Sequence, residues 1–184
     1  MEEKEMVYVF LANGFEETEA IAPIDILRRS GVDVKTVGVG AKTITSSHKI
    51  TVTADLSESE LTTDELEAVV LPGGMPGTLN LEASSTVQKY IDHAAENGLL
   101  LCAICAAPSI LGHKGLLNGK NATCFPGFEK DLYGANVTGL PAVADGNVVT
   151  GKGAGAAIEF GLLISEKLCG AATAKKVRES MQCP

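Results

Sequence analysis

Apolar residues fall along this chain in two alternating rhythms. Met6 to Leu11 is a β-branched and aromatic run that stops at Asn13-Gly14, the signature of a buried strand. Over residues 16–29 the apolar positions Ala20, Ile21, Ile24 and Leu27 recur at helical spacing. Acidic residues open that segment, Arg28 and Arg29 close it, and Gly31 follows as a cap, all matching the helix dipole and its C-terminal stop. Pro23 interrupts the pattern and predicts a kink or a later helix start. Residues 32–39 read as a second strand.

The alternation continues. Residues 43–53 are β-rich and predict a small hairpin around Ser46-Ser47-His48. Residues 68–71 form a short all-apolar strand that runs into the glycine-rich turn of residues 72–77. A helix is expected over 85–97, with Val87, Tyr90, Ile91 and Ala94 on one face. Residues 99–104 are again continuously apolar, as a strand covered on both faces is. Pro108 sits where a helix would start. Beyond it come a hairpin over 143–150 around Gly146-Asn147, a helix over 155–168 and a last helix from Ala171 to about Met181. Strands alternating with helices, the inner strands uniformly apolar, predict an α/β fold. The expected form is a three-layer sandwich of flavodoxin-like type, a mostly parallel sheet with helices on both faces. Neither a linker nor a repeat is visible, so residues 1–184 read as one domain.

Composition narrows the function. Hydrophobic residues make up 45% of the 184, enough for a full core, and the net charge of −8 disfavours nucleic acid as a partner. A membrane span is not expected, since no apolar run approaches the roughly 20 residues it needs. The acidic start, Met1-Glu2-Glu3-Lys4-Glu5, lacks the basic and apolar regions of a secretion signal. Five cysteines, Cys102, Cys105, Cys124, Cys169 and Cys183, are an odd number and argue against a disulfide framework. The expected compartment is therefore a reducing cytoplasm.

One of the five stands apart. In parallel sheets ligands collect at the carboxyl ends of the strands, and three segments converge there: residues 14–19, the 72–77 loop and Cys105. Cys105 lies where a strand turns abruptly into a helix, the geometry of a nucleophile elbow, with small neighbours Ala103, Ala106 and Ala107. A helix start there favours thiolate over thiol. Gly73 and Gly74 would leave backbone amides facing the pocket, an oxyanion hole completed by Ala106. Glu16, Glu17 and Glu19 are each able to serve as first-turn dipole partners or as a carboxyl facing the sulfur. Cys102 and Cys105 spell C-x-x-C, but Cys102 sits inside the strand, so neither a redox pair nor a zinc site is expected. The histidines, His48, His93 and His113, give no secure partner for a Cys–His pair.

Four ordered motifs carry a resemblance. Gly14-Phe15-Glu16-Glu17-Thr18-Glu19-Ala20, Val70-Leu71-Pro72-Gly73-Gly74, Ala103-Ile104-Cys105-Ala106-Ala107-Pro108 and Thr150-Gly151-Lys152-Gly153-Ala154-Gly155 together resemble the ThiJ/PfpI superfamily. The similarity is greatest to the branch of human Parkinson disease protein seven and its bacterial relatives. It implies Cys105 as a reactive, easily oxidised thiol, Glu19 as the carboxyl in contact with it, and Gly73, Gly74 and Ala106 around the pocket. It also implies a homodimer without metal or organic cofactor. The implied substrates are 2-oxoaldehydes such as methylglyoxal or glyoxal, converted to hydroxy acids, and glyoxal adducts on protein. Redox sensing and chaperone-like holding are implied alternatives. Phe125 replaces a pocket histidine of the human branch, and Lys152 an arginine. Ala106 stands where the protease-like branch has histidine, which sets peptidase activity aside.

Overall fold

The computed structural model describes residues 6–184. The acidic start, residues 1–5, on which the reading of no secretion signal rests, lies outside the described residues.

Seven strands form the central sheet. They are β1 (Met6–Leu11), β2 (Asp33–Gly38), β5 (Leu56–Ser57), β6 (Leu66–Leu71), β7 (Leu100–Ile104), β10 (Ala142–Asp145) and β11 (Val148–Gly151). Their spatial order is β10-β11-β7-β6-β1-β2-β5, parallel except for the β10–β11 hairpin at one edge. The small hairpin pairs β3 (Thr43–Thr45) with β4 (Thr51–Thr53), and two short strands, β8 (Asn121–Ala122) and β9 (Asn136–Val137), pair separately.

Because side chains alternate along each inner strand, the sheet feeds two cores. On one face Leu101 and Ala103 of β7 join Tyr8 and Phe10 against α2 (Gly77–Ala83), α3 (Ser85–Glu96) and α4 (Pro108–His113). On the other, Leu100, Cys102 and Ile104 join Val7, Val9 and Leu11 against α1 (Glu17–Arg29) and α5 (Ala157–Cys169). The last helix, α6 (Ala171–Ser180), lies on the outside of α5, where Val177 meets Leu162 and Ile26. This is the flavodoxin-like three-layer arrangement that the alternating pattern implied.

Pro23 neither delays nor breaks α1. The helix begins at Glu17 because Glu16 caps it, its Oε2 accepting from the Glu19 amide at 2.7 Å. The proline costs only the bond to the Glu19 carbonyl, one turn earlier. Gly161 then lets α5 come close, since a Cβ there would lie 3.0 Å from Pro23 Cα and 2.8 Å from Ile26 Cδ1. Two of the smaller elements, α2 and the β8–β9 pair, carry too few periodic residues to be read in advance. None of the five cysteines forms a disulfide, and among the described residues no helix is long and apolar enough to cross a membrane.

Candidate active site

Strand β7 lies between β6 and β11 and delivers Cys105 at its carboxyl end. The residue has φ +67°, a left-handed conformation that a side-chain-bearing residue rarely adopts. Neighbouring strands and loops hold it there. Its N–H donates to the Gly151 carbonyl at 2.9 Å, and its carbonyl accepts from the Phe125 N–H at 2.8 Å. Backbone strain of this kind persists only where the surroundings over-determine it, and it concentrates at functional sites. The thiol is partly exposed, whereas Cys102, three residues earlier, is 1% exposed and packs into the core.

Glu19 meets that thiol from the first turn of α1. It is a buried acid, 1% exposed, hydrogen-bonded through its side chain to Cys105. Its Oε2 accepts from the Gly73 N–H at 2.9 Å, and the Ala154 N–H is a further donor to the carboxylate. Burial pushes Glu19 up to about 7; the nearby charge of Glu16 adds to this, while the bonds from Cys105, Gly73 and Ala154 oppose it.

Cys105 is pushed up to about 12, first by burial and then by the Glu19 charge and hydrogen bond, against backbone bonds from Gly74 and Ala106. The free thiolate expected from a helix start is therefore not what the site holds. The helix α4 is short, and burial together with the acid facing the sulfur outweighs it. Glu19 and Cys105 titrate as a pair, which carries one proton between about 7 and about 12.

The structure brings Cys105, Glu19, Gly73, Gly74 and Ala106 to one place but divides the donors differently from the sequence reading. The Gly73 amide is engaged by Glu19 and does not open onto the pocket. Gly74 and Ala106 are the amides on the sulfur. Gly73 matters for space as well: a Cβ there would sit 2.6 Å from both Cys105 Cβ and Glu19 Oε2, and 2.9 Å from the Ile104 carbonyl. Gly73→Ala is expected to lose about 1–3 kcal/mol of stability in urea unfolding and to separate acid from thiol. Unchanged stability and unchanged Cys105 alkylation would contradict this.

Of the other acids, Glu16 is the cap, and Glu17 pairs with exposed His48 at 2.9 Å. One ligand atom from each of Glu16, Glu17 and His48 lies within 4.8 Å of the other two, a set open to solvent and partly committed to the helix cap. His113 is bound to Glu82, and His93 lies beside Asn97. The third wall was missed in the sequence reading. Gly153 and Ala154, from the segment after β11, close over Glu19, and the Phe125 ring lies beside them. The motif of residues 150–155 was visible, but which acid its amide would meet was not.

The sequence profile of the DJ-1/PfpI family matches residues 5–167. The chain belongs to the DJ-1/PfpI family. It is 35% identical to protein dj-1beta of Drosophila melanogaster over 94% of each chain. It is also 34% identical to a deglycase of Pyrococcus abyssi over 79% of this chain and 89% of that protein. Among solved structures it superposes with a TM-score of 0.92 on a cysteine-to-alanine mutant of a DJ-1 superfamily protein from Salmonella typhimurium. That match has 37% identity and covers 98% of this chain and 99% of the other.

Proposed function

We propose that the protein is a cofactor-free, cysteine-dependent enzyme that converts 2-oxoaldehydes to 2-hydroxy acids and acts on the related glyoxal adducts of protein. The observation that carries this reading is the buried Glu19 hydrogen-bonded to the thiol of Cys105 on its left-handed turn. In the one-proton state of the pair, the proton moves to Glu19 as the sulfur attacks the aldehyde carbon, C1. Glu19 passes it to the new alkoxide, which the Gly74 and Ala106 amides stabilise, giving a hemithioacetal. The Glu19 carboxylate then takes the C1 proton to leave an enediolate and returns it to C2, while the C1 hydroxyl proton passes to the C2 oxygen, so C1 is oxidised to a thioester and the ketone carbon is reduced to an alcohol. Water cleaves the thioester, releasing the hydroxy acid and the thiol. The family membership and the deglycase among its relatives support the class of chemistry.

The test is incubation with methylglyoxal in the absence of glutathione, following lactate by NMR. Lactate is expected, and its absence overturns the reading. The rate is expected to rise with pH through about 7, where Glu19 loses its proton and the pair acquires its negative charge, and then to level off. A rate that falls across that range contradicts the assignment of Glu19.

One observation favours a second reading, in which the protein is a redox-responsive stress protein. An acid with a value near 7 beside the sulfur is suited to donate a hydrogen bond to a sulfinate formed when peroxide oxidises Cys105. Mild peroxide followed by peptide mass spectrometry decides it: other cysteines gaining oxygen while Cys105 gains none excludes a sensor. We place the protein in the cytoplasm, where unpaired thiols persist. We also infer a homodimer, supported by exposed Ile21 and Ile50 flanking partly buried Val52; a monomeric mass in light scattering rules it out.

A further inference from the structure

Beside the thiol–acid pair lies a groove of about 530 Å³, walled by Phe125, Pro126 and Pro141 and floored by Gly153 and Ala154. It is far larger than methylglyoxal needs. Its lining touches both members of the pair, Phe125 through its N–H to the Cys105 carbonyl and Ala154 through its N–H to the Glu19 carboxylate, and Gly153 lies against Glu19. A Cβ built there would lie 3.3 Å from the Phe125 ring at Cδ2 and 3.9 Å from Glu19 Oε1. A single backbone position therefore separates the carboxyl from the aromatic ring. The Phe125 side chain is not tucked into the core: the residue is 48% exposed, although its backbone is fixed by the bond to the Cys105 carbonyl. Lys152 supplies the charge of the lining, its Nζ donating to the Gly139 carbonyl at 3.3 Å on the groove's edge.

Resting on the reading above, we infer that this groove receives the substituent on the ketone carbon, and that the favoured substrates are 2-oxoaldehydes with an aromatic substituent, phenylglyoxal being the simplest. With the aldehyde carbon at Cys105 and the ketone carbon beside Glu19, that substituent passes over Gly153 and lies against the Phe125 ring. Aromatic rings attract one another in offset or edge-on contact, and the prolines exclude water from the rest of the ring. Phe125 is thereby a specificity-determining residue.

Two measurements test this. The first is the ratio of kcat/KM for phenylglyoxal to that for methylglyoxal. It is expected to exceed one in the wild type and to fall roughly tenfold in Phe125→Ala, with a similar fall in Gly153→Ala, whose methyl group would press on the Phe125 ring. The second does not require turnover: protection of Cys105 from iodoacetamide by mandelate and by lactate, the two product acids. Mandelate is expected to protect at roughly tenfold lower concentration than lactate, an advantage lost in Phe125→Ala. Equal protection by the two acids, or a ratio indifferent to Phe125, overturns the inference. If neither aldehyde is turned over, the proposed function fails, and the protection experiment alone decides the groove.

Discussion

Cys105→Ala is expected to reduce methylglyoxal consumption by about 10³-fold or more, because it removes the atom that holds the substrate while leaving the rest of the pocket intact. The fold is expected to survive. The bonds that hold residue 105 at φ +67°, from its N–H to Gly151 and to its carbonyl from Phe125, are backbone bonds that alanine keeps. A second consequence separates loss of chemistry from loss of structure. The Cys105 bond to Glu19 opposes the effect of burial on that acid, so removing the sulfur should raise Glu19 above about 7. A carbon-13 NMR titration of the Glu19 carboxyl reads this directly. Undiminished turnover removes Cys105 from the mechanism, and a Glu19 that titrates lower in the variant removes the pairing.

Glu19→Gln is expected to separate stability from function. The folded-state value of Glu19 is raised from 4.5 to about 7, so the native state holds a proton that the unfolded chain releases. Stability from this residue is therefore complete below about 4.5 and declines as pH rises through about 7, where the buried carboxylate must ionise. The loss amounts to about 3 kcal/mol. Glutamine never ionises and still offers an oxygen to the Gly73 amide, so the variant should gain up to that amount at pH 8 and almost nothing at pH 4. Any mismatch between its NH₂ group and the Ala154 N–H reduces the gain. Activity moves the other way: with no carboxyl to carry the proton between carbons, turnover is expected to fall by about 10²–10⁴-fold, and the inflection near pH 7 should disappear. Urea unfolding at the two pH values, beside a pH–rate profile, checks both. A variant equally destabilised at both pH values contradicts the account.

The parallel sheet was legible because its inner strands are apolar on both faces, as in residues 68–71 and 100–104, and its helices carry their own periodicity and caps. The thiol was legible for a local reason: a strand, a cysteine, small residues and a proline in immediate succession. What the local pattern did not contain was the direction of backbone amides. That the N–H of Gly73 is taken by Glu19 is a contact between residues 54 positions apart, which no local pattern contains. Choosing among Glu16, Glu17 and Glu19 had the same obstacle, because one residue of helical rotation decides which acid is buried. The charge state of Cys105 was read in the wrong direction because a helix start was given more weight than burial and the facing carboxyl.

The two bonds that hold Cys105 in its unusual conformation come from residues 125 and 151, well after it in the chain. The elbow is thus a product of late assembly. A growing polypeptide that has emerged only as far as β7 possesses the cysteine, its strand and the acid of α1, but lacks both anchors and the Ala154 donor. Until β11 docks, residue 105 is free to relax to ordinary extended backbone. A ribosome-bound chain truncated before residue 151 should accordingly show the alkylation kinetics of an ordinary cysteine, and the distinctive thiol should arise only once the final parallel strand is in place.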